Sequence, residues 1–230
     1  MLADGNISYN FGIAGVISLD GAYQLKHAPY FFERYRSHSA NWSFNLPSTQ
    51  ITSARVLYAL PKYGISADFS FYHLNKLPVY PGNANPYLLK DKETMLVAHI
   101  ANRNGFSGFH IDNDIWYSYG SAGGYLLSTM PVLVTKHSVF YERRLFKKAL
   151  WLATGFDVRY TLGNTPSYYE PFTGQFYPAY SSVARYYPTL DFFLNFKIRT
   201  VRVMLKVDNI SSSFGTKGYY VMHNYPAADI

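Results

Sequence analysis

The chain has 230 residues, no cysteine and a formal net charge of +7, and 19% of it is aromatic, with 23 Tyr and 17 Phe. Without Cys there is no disulfide framework and no Cys-based metal site. No run approaches the roughly eighteen apolar residues of a membrane-crossing helix, and Lys and Arg scattered singly or in short pairs such as Lys147 and Lys148 do not form the basic stripe of a nucleic-acid-binding surface.

The amino terminus, MLADGNISYN, has no basic start, apolar core or small-residue cleavage site, so it is not a signal peptide. Residues 1–230 read as a single domain that is a piece of a longer exported protein, truncated at both ends. From Ile7 to Leu25 the odd positions Ile7, Tyr9, Phe11, Ile13, Ile17, Leu19, Tyr23 and Leu25 alternate with Ser8, Asn10, Ser18, Asp20 and Gln24, which predicts one long strand. After a polar, aromatic loop, residues 41–60 place Trp42, Phe44, Val56, Tyr58 and Leu60 on one face, and Pro47 predicts a bulge or bend. Pro61 and Lys62 turn this run into a strand over 63–71, followed by a loop rich in Pro, Gly and Asn over 76–93.

Asn104-Gly105, flanked by runs over 94–103 and 107–119, predicts a hairpin. A Gly and Ser rich loop over 120–128 leads to a strand over 131–141, in which Lys136 and His137 leave neither face clean. The run over 149–162 is the clearest of all. Leu150, Leu152, Thr154, Phe156, Val158, Tyr160 and Leu162 share one face, and Ala153, Gly155, Asp157, Arg159 and Thr161 share the other. An aromatic loop over 163–187 precedes a hairpin of 190–198 and 201–208 through Arg199 and Thr200.

Soluble strands usually stop near five or six residues, whereas a tilted strand crossing a bilayer needs roughly nine to eleven. Short turns at Pro61-Lys62, Asn104-Gly105, 143–148 and Arg199-Thr200 alternate with long loops after Leu25, Leu74, Tyr119, Leu162 and Asn209, the asymmetry of outer-membrane barrels. A soluble β-sandwich is the alternative, but its strands are shorter and nothing sorts its loops by length. The predicted fold is all-β: an antiparallel up-and-down meander of about nine long strands, part of a transmembrane β-barrel. Leu150, Phe156, Tyr160, Phe192, Phe196, Val203 and Leu205 should face lipid, with aromatic girdles at the two interfaces.

The segments RYRSHSANWSFN (34–45), FHIDNDIWY (109–117), VFYERRLFKKALWLATGFDVRY (139–160), YYEPFTGQFYPAY (168–180) and YPTLDFFLNFKI (187–198) also carry a likeness. In this order and over nearly the whole chain, the sequence resembles the carboxy-terminal half of the Bacteroidota "putative porin" β-barrel family. The resemblance implies a diffusion channel of the bacterial outer membrane without a characterised substrate, surrounded by outer-membrane lipid and open to small hydrophilic solutes. Family members carry a signal peptide, earlier strands and one further strand with an aromatic terminal residue, and this sequence stops just before that strand.

Function should lie on the polar faces. Candidate pore-lining residues are Arg55, Asp68, Asp112, Asp114, Asp157, Arg159, Asp191, Lys197, Arg202 and Lys206. Opposed charges there can set a transverse field that selects permeants, or they can simply pair and stiffen the wall. His110, Asp112 and Asp114, spaced by two, could reach one ion, but alternating His and carboxylates are ordinary lining for a wet interior. No metal or other cofactor is therefore expected. Ser138 and His137 point to opposite faces and no other nucleophile and base stand together, so no enzyme activity is expected. The aromatic loop over 167–180 either packs its rings into a small core on the barrel rim, the preferred reading, or offers them to a ligand as a receptor or transporter barrel would. Oligomeric state is not legible in the sequence.

Overall fold

The computed structural model describes residues 1–38, 40–81, 85–121, 124–163, 167–171, 173–178 and 187–211. Among them ten strands form one antiparallel sheet, each strand beside its sequence neighbours. Numbered along this sheet they are β1 Leu2–Asn10, β2 Val16–Lys26, β3 Thr49–Leu60, β4 Ile65–Asn75, β5 Glu93–Phe106, β6 Phe109–Gly120, β7 Leu133–Leu145, β8 Leu150–Leu162, β9 Thr189–Ile198 and β10 Val201–Val207. The sheet is open, with β1 and β10 at its edges. The other described sheets are two-stranded and lie in the loops, so no second large sheet covers either face.

The count is ten rather than nine because the run over 7–25 is a hairpin. A 3-10 turn at Gly12–Ala14 separates β1 from β2, and Tyr9 then faces Ile17 while Ile7 faces Leu19. Directly opposed residues share a side of the sheet, and here both partners are odd-numbered. The alternation therefore passes through the turn without a break, which is why it reads as one strand. The hairpin adds a short turn at 11–15, so the sorting of connections becomes regular: short at 11–15, 61–64, 107–108, 146–149 and 199–200, long at 27–48, 76–92, 121–132 and 163–188.

Other boundaries move as well: the strand expected over 63–71 is β4 and runs on to Asn75, the strand expected over 131–141 is β7 and runs on to Leu145, and two differences change the loops and turns. Pro47 lies in the loop before β3, and Asn41–Ser43 pairs with Arg34–Arg36 in a small hairpin of that loop. The turn between β5 and β6 is made by Ser107 and Gly108, at φ 52° and 88°, and Asn104 and Gly105 stay in the ladder opposite Ile111 and His110. Both turn residues occupy the positive-φ region that a tight two-residue hairpin requires. The later turn lengthens β5 and brings Arg103 opposite Asp112.

Strands β2 to β8 run to between 11 and 14 residues, enough for a tilted bilayer crossing. The register supplies the tilt. A row of directly opposed residues that starts at Val207, at the long-loop end of β10, passes through Phe192, Phe156, Val139 and Ile111 to Asn104, near the short-turn end of β5. Such a steady stagger is the shear that curls a sheet into a barrel.

Leu150, Phe156, Tyr160, Phe192, Phe196, Val203 and Leu205 all stand on one side, hereafter the outer face. On that face Tyr9, Tyr58, Phe109 and Tyr141 lie near the short-turn end and Tyr23, Tyr117, Tyr119 and Tyr160 near the long-loop end, as aromatic girdles require.

Gly155 on β8 faces Phe140 on β7 at very close range. A Cβ there would stand 2.4 Å from both the Phe140 Cβ and the Val139 carbonyl oxygen. In the full-length protein folded in detergent, Gly155→Val is expected to lower unfolding stability by about 1–3 kcal/mol, read from the denaturant midpoint. Gly21→Ala, which meets nothing within 4 Å, should change it little. Residues 1–230 produced alone in water are expected to aggregate, because an apolar face and two open strand edges remain unpartnered; a monodisperse monomer on gel filtration would contradict this.

Candidate functional site

The sheet sorts charge almost completely. Following the register, Asp4, Asp20, Lys26, Arg55, Asp68, Glu93, Arg103, Asp112, Asp114, Lys136, Glu142, Arg144, Asp157, Arg159, Asp191, Lys197, Arg202 and Lys206 all occupy the inner face. The single charged strand residue of the outer face is Arg143, at the short-turn end, where its guanidinium donates to the Tyr141 hydroxyl at 3.1 Å. The poor parity of β7 is thereby resolved. Lys136 faces inward opposite Asp114 and Arg159, and His137 faces outward at 2.7 Å from its opposed partner Asn113.

All ten candidate residues stand on the inner face, in three groups. The first spans β3 to β6. Arg55 reaches Asp68 (Nε to Oδ1, 3.3 Å), and the His99 ring lies between Asp68 (2.9 Å) and Asp114 (3.1 Å). Arg103 joins Asp114 at 2.5 Å and approaches Asp112 at 3.7 Å. Trp116 stacks on His99 with ring centroids 4.5 Å apart. His99 and Arg103 are absent from the sequence-derived set. The inner parity of β5 contains both, but choosing them needs the cross-strand register that the turn at 107–108 fixes.

The second group spans β7 to β10. Asp191, 3% exposed, receives Arg159 at 2.6 Å, Lys206 at 3.3 Å and the Asn209 amide at 2.9 Å. Lys206 also pairs with Asp208. Asp157, directly opposite Asp191, accepts the Ser138 hydroxyl at 2.5 Å. Like charges opposed across a ladder repel, and the two cations offset that repulsion here. An open hollow of about 220 Å³ lies between the groups, lined by Asp112, Ser138, Asp157, Phe193, Asn195 and Lys206 among others. The third group is Lys197 opposite Arg202, near the short turns.

His110, Asp112 and Asp114 do not converge. His110 stacks on Phe140 at 4.8 Å, while the two carboxylates engage Arg103. Among the described residues no group of three or more His, Asp or Glu could hold a metal ion. Ser138 and His137 stand on opposite faces, as their adjacency in a strand dictates.

At the other end, three long loops share one aromatic cluster. Phe31, Tyr35 and Trp42 come from residues 27–48, Tyr80 from 76–92, and Tyr168 and Tyr177 from 163–188. Trp42 stacks on Tyr35 at 4.7 Å and meets Phe31 edge-on at 5.2 Å, and its Nε1 donates to the Phe31 carbonyl at 2.8 Å. Tyr80, 6% exposed, touches Phe31 (5.6 Å), Trp42 (6.1 Å) and Tyr177 (6.3 Å), and its hydroxyl lies 3.2 Å from the Thr173 hydroxyl. Burial first, then the Glu170 charge and the neighbouring tyrosines, raise the Tyr177 phenol above its ordinary value. The rim core expected of the loop over 167–180 is thus shared among loops far apart in sequence; residues 172, 179 and 180 of that loop lie outside the described ones. Beneath the adjacent loop, buried Glu93 accepts the Tyr125 and Leu126 amides at 3.0 and 3.3 Å and so caps the short helix Tyr125–Thr129.

A family model described as "Putative porin" matches residues 1–230. The chain belongs to the putative porin family. A solved structure titled "Structure of the FpvAI-pyocin S2 complex" is similar to this porin-family chain with a TM-score of 0.58 at 11% identity, covering 96% of this chain. The match takes in 30% of the other chain, so residues 1–230 span about three tenths of its length. No curated protein matches. Family and fold together make this an outer-membrane β-barrel protein.

Tyr80 joins loops whose strands lie on distant parts of the porin-family sheet. Tyr80→Ala in the full-length protein should therefore speed tryptic cleavage at Arg34 and Arg36, and chymotryptic cleavage at Tyr169 and Phe176, by at least about tenfold, equivalent to losing roughly 1.4 kcal/mol of local closure. Tyr80→Phe should stay close to wild type.

Proposed function

We propose that these residues form part of the wall of a passive outer-membrane channel for small hydrophilic solutes, with the short turns in the periplasm and the long loops outside. The observation that carries this reading is the sorting of charge. A barrel filled with apolar side chains would gain nothing from so many ionised groups inside, whereas a wetted passage keeps them solvated and uses their field on permeants. Small barrels of about eight strands are nearly filled by side chains, and sixteen or more leave a channel. The two open edges of the ten-stranded sheet need pairing partners in hydrocarbon, since each unpaired amide or carbonyl there costs several kcal/mol. The full wall then belongs to the wider class.

A receptor is the second reading, favoured by the rings of Tyr169 and Phe176, which stand exposed and 5.1 Å apart on the hairpin Ser167–Glu170 with Gln175–Pro178. Paired exposed rings on an outer loop suit capture of an apolar or sugar face.

Replacing Arg159 and Lys206 by Glu removes both cations that face Asp191 and reverses the field beside the hollow. The full-length protein in a planar bilayer under a KCl gradient should then shift its reversal potential toward that of potassium, with the cation-to-anion permeability ratio rising severalfold. An unmoved potential would take these residues out of the conduction path, and a folded barrel that conducts nothing would favour the receptor.

A further inference from the structure

At the short-turn end of the inner face, Arg144, Lys148, Trp151, Lys197, Arg199 and Arg202 surround an open hollow of about 420 Å³. It is distinct from the hollow beside Asp157, and its lining contains five cations and no carboxylate. Among the described residues none of the five has an acidic partner within 4 Å, unlike Arg55, Arg103, Arg159 and Lys206 on the same face. The nearest acid in the ladder, Glu142, is engaged by the Trp151 indole at 2.8 Å.

Two further observations single the hollow out. Lys197 and Arg202 are directly opposed, a pairing that repels. The opposed acids Asp157 and Asp191, on β8 and β9, are supplied with countercharges; this opposed basic pair has none. Lys148 and Arg199 hold φ angles of 74° and 52°, in the left-handed region that favours Gly or Asn. The turns thus accept a conformational cost and carry long cations that point into the hollow. The tight turns set those angles, and in doing so they place both cations in the lining of the hollow.

We propose that this hollow is an anion site, and that its ligand bears a phosphate group. Five cations on two neighbouring hairpins, β7–β8 and β9–β10, offer more charge than one carboxylate can neutralise, and guanidinium forks with ammonium groups suit the several oxygens of a phosphate. That chemistry has two sources at this level of an outer membrane: phosphorylated solutes passing along the inner face, or the headgroup of an anionic phospholipid reaching round the rim.

The test uses the full-length protein folded in non-ionic detergent and titrated calorimetrically with sodium pyrophosphate. Saturable binding is expected, weakening as NaCl is raised. Lys197→Gln with Arg202→Gln should reduce affinity at least about tenfold, since charge-assisted bonds are worth that much each when well formed. Lys148→Asn with Arg199→Asn, at positions where Asn relieves the backbone, should reduce it severalfold with the fold undisturbed. Retention of phosphatidylglycerol against phosphatidylcholine, counted by native mass spectrometry, separates the sources. Pyrophosphate binding that the variants weaken assigns a solute site, and phosphatidylglycerol retention lost in the same variants assigns a headgroup site. Neither ligand bound, or binding that ignores both variant pairs, overturns the proposal. The readout is equilibrium binding, so a barrel that conducts nothing leaves this test intact.

Discussion

Hydrocarbon offers no partner to a polar group, and every feature of this sheet answers that constraint. Backbone amides and carbonyls are satisfied laterally, strand to strand, which is why the strands are long and the connections between them do not enter the ladder. Several polar side chains on the outer face pair in the same way. His137 meets Asn113, His73 meets Thr94 and Asn75 donates to Gln50, each across a ladder position and each within 3.1 Å. Arg143, the one charged exception, sits where it can reach the interface.

The inner face obeys a different balance. There the cost of a charge depends on water and countercharge, and the three groups resolve it differently. Around His99 the arginines, the carboxylates and the imidazole close into a hydrogen-bonded chain across four strands. Around Asp191 one buried carboxylate gathers two cations, and near the short turns the cations stand unpaired. The wall is therefore not evenly mixed. It grades from paired charge in mid-sheet to net positive charge at the short-turn end, while the opposite end is built from aromatic contacts among loops.

What the sequence makes legible follows from how local each determinant is. The face a residue occupies is set by its parity within one strand, so Asp157, Arg159, Asp191 and Lys206 could be placed inward from alternation alone. The turn before β2 escaped because the hairpin register preserves parity, so periodicity carries no mark of it. Asn104-Gly105 competed with Ser107-Gly108 three residues later, and the choice depends on cross-strand contacts such as that of Arg103 with Asp114, which no local rule sees. Which charges pair, and that Tyr80 meets both Trp42 and Tyr177, are facts of register and loop convergence. They connect positions tens of residues apart and leave no periodic trace.

The parity that sorts these faces also limits how the sequence can vary over time. Deleting one residue within β8 would carry Asp157 and Arg159 to the outer side and draw Phe156 and Val158 inward, because a slip of one position exchanges the faces of a strand. A basic side chain moved to the bilayer midplane costs about 2–4 kcal/mol, more than a marginal fold tolerates repeatedly. A deletion in residues 27–48 or 163–188 shifts no ladder. Parity thus leaves the long loops free to change length and allows a strand to change only in steps of two, so the outward surface can diverge quickly while the wall beneath it changes mainly by substitution.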